Sequence, residues 1–185
     1  MKTPPAIELR VAQERDAQVF ADAVAQLTPD LAGFLHGWEA DLGFGEYLNF
    51  LDRLRTGRDL PDGWVQSEFL FAFAADDALA APGTIMGRAS VRPDPHDLLL
   101  RQAGHIGYSV LPAYRNRGVA TEILRQSLHC ARTHFGLENV VLTCDEDNTT
   151  SCAIIERAGA TYLGTEQFDT LPKPKRQYRL HTDPG

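Results

Sequence analysis

The run VATEILRQSL, Val119–Leu128, places apolar residues at 119, 120, 123, 124 and 128. That spacing is helical and leaves one face to bury. HIGYSVL, His105–Leu111, precedes it and reads as a strand ended by Pro112. Beyond the helix, Gly136 fits a C-cap, and NVVLTC, Asn139–Cys144, reads as a buried strand. Strand, short loop, amphipathic helix and strand in succession point to a sheet with helices packed on it. The loop itself is unusual. In a chain of net charge −7, Arg115 and Arg117 flank Asn116 and stand before Gly118, directly at the helix start. A helix start exposes unpaired N–H groups and the positive end of the dipole. Gly118, without a Cβ, lets a ligand come close to the backbone. Together these features make an anion site, most naturally for a phosphate group.

The remaining chain fills out a mixed α/β (α+β) pattern. AIELRV (Ala6–Val11) alternates as a strand, and Arg15–Leu27 reads as an amphipathic helix stopped near Pro29. Gly37–Gly57 reads as a second, glycine-interrupted helical region. Ser67–Ala75 and Thr84–Arg92 are expected to form a hairpin. Asn148–Gly159 reads as a short helix with Asn148 near its N-cap, and TYLGTEQFDT and KRQYRLH as closing strands. The expected order is strand, two helices, three strands, helix, strand, helix, two strands. The 185 residues suffice for one domain, residues 1–185, with a proper core.

Composition excludes several classes. No apolar run is long enough to span a bilayer, so no membrane role is expected. MKTPPAIELRVAQERD has no apolar signal segment, and Cys130, Cys144 and Cys152 form no CxxC pair. A reduced, cytoplasmic setting is the expectation. A pI near 5.3 argues against nucleic-acid binding, but leaves room for a cationic substrate such as an amine. The basic turn KPKR, Lys173–Arg176, is too short to change that and reads as solvated. The loop lacks G-x-G-x-x-G, which sets aside a dinucleotide fold. No metal is expected.

HIGYSVLPAYRNRGVATEILRQSL followed by NVVLTCDEDNTTSCAIIERAGA resembles the GNAT superfamily of acetyl-CoA-dependent N-acetyltransferases. It is most similar to a branch of uncharacterised bacterial predicted acetyltransferases. The resemblance covers the C-terminal half directly, and the order of elements fits the whole chain. It implies the GNAT fold, with a mixed central sheet of about seven strands, helices on both faces and a splayed parallel strand pair. Within the family the phosphate loop has the form Gln/Arg-x-x-Gly-x-Gly/Ala, which falls here on Arg115, Asn116, Arg117, Gly118, Val119 and Ala120. The CoA diphosphate would then sit on the N–H groups of Asn116 through Thr121. Tyr108, Ser109 and Val110 would offer backbone groups to the pantetheine arm, as to an added strand. The Val110 N–H would donate to the thioester oxygen. Asn148 would contact the same arm, although helix capping explains it equally well.

The chain departs from the family at the end of the short helix. Many members carry a tyrosine there, which protonates the leaving thiolate; this chain has Ile155. Ser151 and Cys152, about one turn earlier, are weaker substitutes and read better as packing or capping residues. A base is also required, since a protonated amine has no lone pair. His105 is the first candidate, because it precedes the CoA-binding segment and titrates near neutral pH. Glu46 is the second and the acidic turn Asp145–Asp147 the third. Cys144 offers a covalent route in principle. Trp38, Phe44 and Tyr47 read as an apolar wall for the acceptor. The implied reaction moves an acetyl group from acetyl-CoA to a primary amine, on a small molecule or a peptide, by direct attack in a ternary complex. The alternative is a degenerate domain that binds acyl-CoA as a sensor or partner module. A homodimer fits the family.

Overall fold

A computed structural model describes residues 4–28, 31, 33–39 and 41–183. Pro29, the expected stop of the first helix, and Ala40 lie outside them. The elements run β1 (Ile7–Arg10), a 3-10 turn (Glu14–Asp16), α1 (Ala17–Val24), α2 (Phe44–Thr56), β2 (Glu68–Ala74), β3 (Ile85–Val91) and α3 (Asp97–Ala103). They continue with β4 (Ile106–Val110), a 3-10 turn (Pro112–Tyr114), α4 (Val119–Phe135), β5 (Asn139–Asp145), α5 (Thr149–Arg157), β6 (Thr161–Glu166) and β7 (Lys175–His181). The seven strands form two sheets. One has the order β1-β2-β3-β4, the other β5-β7-β6. β4 therefore ends one sheet and β5 ends the other. No described helix is long and apolar enough to cross a membrane.

Two differences from the sequence reading stand out. The second helix starts only at Phe44, with Gly43 extended at its N-cap, and the described residues from Gly37 to Gly43 are not helical. An additional helix, α3, separates β3 from β4, where three strands in direct succession were expected. Its signals are local: His96 caps it by accepting from the Leu99 N–H at 3.3 Å, and Gly104 ends it.

The chain divides into two compact units, Met1–Ala89 with Tyr108–Leu124, and Ser90–Gly107 with Arg125–Gly185. In the first, β2 is buried at every position, as a central strand covered on both faces should be. Phe20, Trp38, Phe44, Tyr47 and Phe71 pack as rings; Phe20 lies 4.9 Å from Trp38 and 4.6 Å from Phe44 by centroid. A second cluster joins Ile7, Ala72, Met86, Val110, Val119 and Ile123, so the first turns of α4 are seated by their apolar face. Arg10 fastens the edge strand: it donates to both carboxylate oxygens of buried Asp16, at 2.7 and 2.9 Å, and lies 3.6 Å over the Phe73 ring. In the second unit β5 alternates, with Val140, Leu142 and Cys144 buried. It pairs antiparallel with β7 from Asn139–His181 to Asp145–Lys175.

Candidate functional site

The loop that leads into α4 is built from two left-handed residues. Asn116 has φ +60° and Gly118 φ +84°. Asn is among the few side chains that tolerate this conformation, and glycine takes it freely. A Cβ on Gly118 would also lie 3.3 Å from Pro5 Cδ. The first intrahelical bond is Glu122 N–H to Gly118 O at 3.1 Å, so the N–H groups from Val119 to Thr121 have no partner within the helix. Arg115, Asn116, Arg117 and Gly118 are all exposed, whereas Val119 is buried beneath them. The result is a rigidly seated, positively charged helix start open to an anion. Arg115 is partly committed: its Nε donates to the Val110 carbonyl at 3.1 Å, tying the loop to the end of β4.

β4 presents its backbone by strict alternation. Leu111 donates its N–H to Met86 O at 2.9 Å, and Arg92 donates to His105 O at 2.7 Å. Odd-numbered residues of the strand therefore bond toward β3, and the N–H groups of Tyr108 and Val110 point away from β3. By the same alternation Ser109 turns its backbone groups to β3, so the edge is offered by its two neighbours. Gly87 permits this: a Cβ there would meet the Ser109 oxygen at 2.6 Å and Ile123 Cδ1 at 2.8 Å.

His105 and Asn148 belong to the second unit. The His105 N–H donates to Val141 O at 2.8 Å, and the Val141 N–H donates to His105 Nδ1 at 2.9 Å. A ring that accepts at Nδ1 carries its proton on Nε2, so it has no free lone pair. Burial, aided by the positive charge of Arg92, holds its pKa below the ordinary 6.5. This arrangement weighs against His105, the first candidate for the base. Its accepting nitrogen is spent on β5. Asn148 caps α5 as the sequence suggested: its Oδ1 accepts from the Ser151 N–H at 3.0 Å.

The other candidates sort on similar grounds. The acidic turn is answered by the basic turn. Lys175 Nζ meets Asp145 at 2.5 Å and Lys173 Nζ meets Asp147 at 2.7 Å, which leaves both carboxylates paired. The KPKR turn is thus an ion-pair partner, where solvation alone was expected. Cys144 and Cys152 face each other at 3.4 Å between their sulfurs, both buried. Burial pushes the Cys144 thiol up to about 12, far from a nucleophilic thiolate at neutral pH. Ile155 is fully buried in α5, and its side chain belongs to the core. Tyr178 of β7, under the same helix, donates to Glu156 at 3.0 Å and is equally buried. Glu46 stands exposed in the first turn of α2. Tyr47 and Phe44 join the packed aromatic cluster instead of lining an open wall.

The start of α4 is thus tied through Arg115 to the end of β4, whose even-numbered residues turn their N–H groups away from β3. The family model for an acetyltransferase (GNAT) domain matches residues 7–161. The chain belongs to the GNAT acetyltransferase family. Among curated proteins none matches it in sequence. Several solved structures share its fold at low identity. An acetyltransferase of the GNAT family from Bacillus anthracis is 16% identical with a TM-score of 0.62, covering 97% of either chain. A spermidine N-acetyltransferase mutant from Vibrio cholerae is 13% identical, TM-score 0.62, over 95% of this chain and 94% of its own. The protein yncA from Salmonella typhimurium, solved with its cofactor acetyl-CoA, is 16% identical, TM-score 0.58, over 96% and 95%.

Proposed function

We propose that the protein is an N-acetyltransferase that moves an acetyl group from acetyl-CoA to a primary amine by direct attack. The observation that carries this reading is the pairing of an exposed, left-handed Arg115–Gly118 loop with the outward N–H groups of Tyr108 and Val110. CoA fits these residues. Its diphosphate is an anion for the N–H groups of Asn116 to Thr121, with Arg115 and Arg117 adding charge-assisted contacts. Its pantetheine amides suit the edge at Tyr108 and Val110.

The amine nitrogen attacks the thioester carbon, and negative charge develops on the carbonyl oxygen. The Val110 N–H, fixed in the strand, would stabilise that charge; a donor of this kind is worth about 10²–10³ in rate. The C–S bond then breaks, the CoA thiolate leaves, and the amine nitrogen loses its extra proton. Glu46 and solvent are the acceptors we assign for that proton, since His105 Nδ1, Asp145 and Asp147 are engaged elsewhere. The acceptor is a small-molecule or peptide amine.

A second reading has a specific observation behind it. Ile155 is buried where many family members place a tyrosine acid, as a domain that only binds acyl-CoA would permit. Turnover separates the two. Purified protein incubated with acetyl-CoA and a panel of polyamines, amino acids and peptides should release CoA thiol with at least one acceptor. Tight CoA binding with no release above background across the panel would establish the binding module instead.

A further inference from the structure

We propose that His105 is a positioning residue for acetyl-CoA: its neutral imidazole pins the start of β4 to β5, and protonation of the ring releases that pin. This rests on reading the edge at Tyr108 and Val110 as the acetyl-CoA edge. His105 directly precedes β4 and stands three residues before Tyr108.

The junction around it is closely built. His105 exchanges two hydrogen bonds with Val141, one through its backbone and one through its ring. The ring is needed because the chain upstream cannot supply a strand carbonyl. Residues Asp97–Ala103 are the helix α3. Nδ1 of His105 takes the place of that carbonyl for the Val141 N–H. Gly104 makes the approach possible: at φ +68° it brings the chain so near that a Cβ would lie 2.5 Å from Val141 O. Arg92 secures the other side. Its N–H donates to His105 O, its Nη1 to Gly104 O at 3.1 Å, and its Nη2 to Ser90 Oγ at 3.1 Å. His105 is thus the point at which the backbone turns its N–H to β5 and its C=O to Arg92.

The pin is conditional on charge. A protonated ring has a hydrogen on Nδ1 and cannot accept from Val141. Burial, the largest effect, and the Arg92 guanidinium disfavour that proton; a backbone contact of the ring with Val141 and the charge of Asp94 favour it, so the pin rests on the geometry of the Val141 N–H at Nδ1. Arg92 stays charged throughout, since burial lowers it only to about 10. The pin therefore holds at neutral pH and loosens in acid.

Asn is the informative replacement, because its Oδ1 can accept from the Val141 N–H but does not titrate. CoA binding would be measured by calorimetry for wild type, His105→Asn and His105→Ala at about pH 7.5 and about pH 5.5. Nitrogen NMR of the imidazole and hydrogen exchange of the Val141 amide would be followed in parallel. The CoA phosphates titrate in the same range, but equally for all three proteins. Wild type should lose several-fold more affinity in acid than His105→Asn. His105→Ala should bind CoA about tenfold more weakly at the higher pH and expose the Val141 amide. The ring should be the Nε2–H tautomer. An Asn variant that follows wild type through the acid range would overturn the proposal, as would an Ala variant that binds CoA normally. Should no protein bind CoA while the Val141 amide behaves as described, the acetyl-CoA reading fails and the positioning role fails with it, and the pin remains as local structure. If His105→Ala does not fold, the comparison of wild type with His105→Asn still decides.

Discussion

Gly118 is the residue on which the proposed anion site depends most directly. Its φ of +84° is left-handed, and most side chains there are strained by about 1–2 kcal/mol, a β-branched one above all. Gly118→Val should therefore distort the loop without dissolving the core beneath it, because Val119 and Ile123 remain seated in the apolar cluster. We expect CoA affinity to fall at least tenfold while far-UV circular dichroism is kept and the melting temperature drops by only a few degrees. Unchanged CoA binding in a folded variant would remove the loop from the site. Its place directly before α4 was legible in the sequence, since its signals are its neighbours: an arginine pair before it and a helical pattern after it. Gly87 and Gly104 were not legible. What they accommodate is a carbonyl oxygen from another strand, Ser109 for one and Val141 for the other, and nothing in the local sequence announces either approach. The histidine at 105 shows the same limit. Its pattern in HIGYSV is compatible with a base, and only the position of Val141 reveals that its acceptor nitrogen is in use.

At the scale of elements, the junction of α3, β4 and β5 sets a pH dependence whose sign can be worked out. The folded protein holds His105 below its ordinary pKa of 6.5. Above that value the ring is neutral in folded and unfolded chains alike, and it contributes no slope. Below it the unfolded chain takes up a proton that the folded one resists, so stability falls as pH drops. The fall ends once pH passes the lower folded value. Thermal unfolding of His105→Asn should accordingly show a flatter pH profile than wild type between neutrality and mild acid. Identical profiles would mean that the ring is not held as described. Gly104→Ala tests the same junction from the backbone. The left-handed conformation alone costs about 1–3 kcal/mol, and the clash with Val141 O adds to it. Most elements here follow from hydrophobic period: β7 lies on KRQYRLH as expected, and α4 begins one residue after Gly118. α3 escaped that reading because seven residues span barely two turns and leave little period to detect.

For the molecule as a whole the issue is whether it turns over acetyl-CoA or only holds it, and Ile155 is the place to decide. The side chain is fully buried in α5, so it fills space in the core. Restoring the family's tyrosine there should therefore not restore an acid. It should overpack the helix against β5 and β7, at about 1–3 kcal/mol. The leaving group does not demand one: a thiol with a pKa near 8.5 departs as thiolate near neutrality far more readily than an alkoxide would. Loss of a general acid costs at most about 10²–10⁴-fold, and solvent recovers part of it. We thus expect wild type to release CoA with at least one amine, and Ile155→Tyr to be no faster and measurably less stable. Rates of thiol release and melting temperatures, taken on the same preparations, check both halves. A wild type at background beside a tyrosine variant that turns over would show that the acid was the missing part, and that this chain has kept the binding half of an acetyltransferase alone.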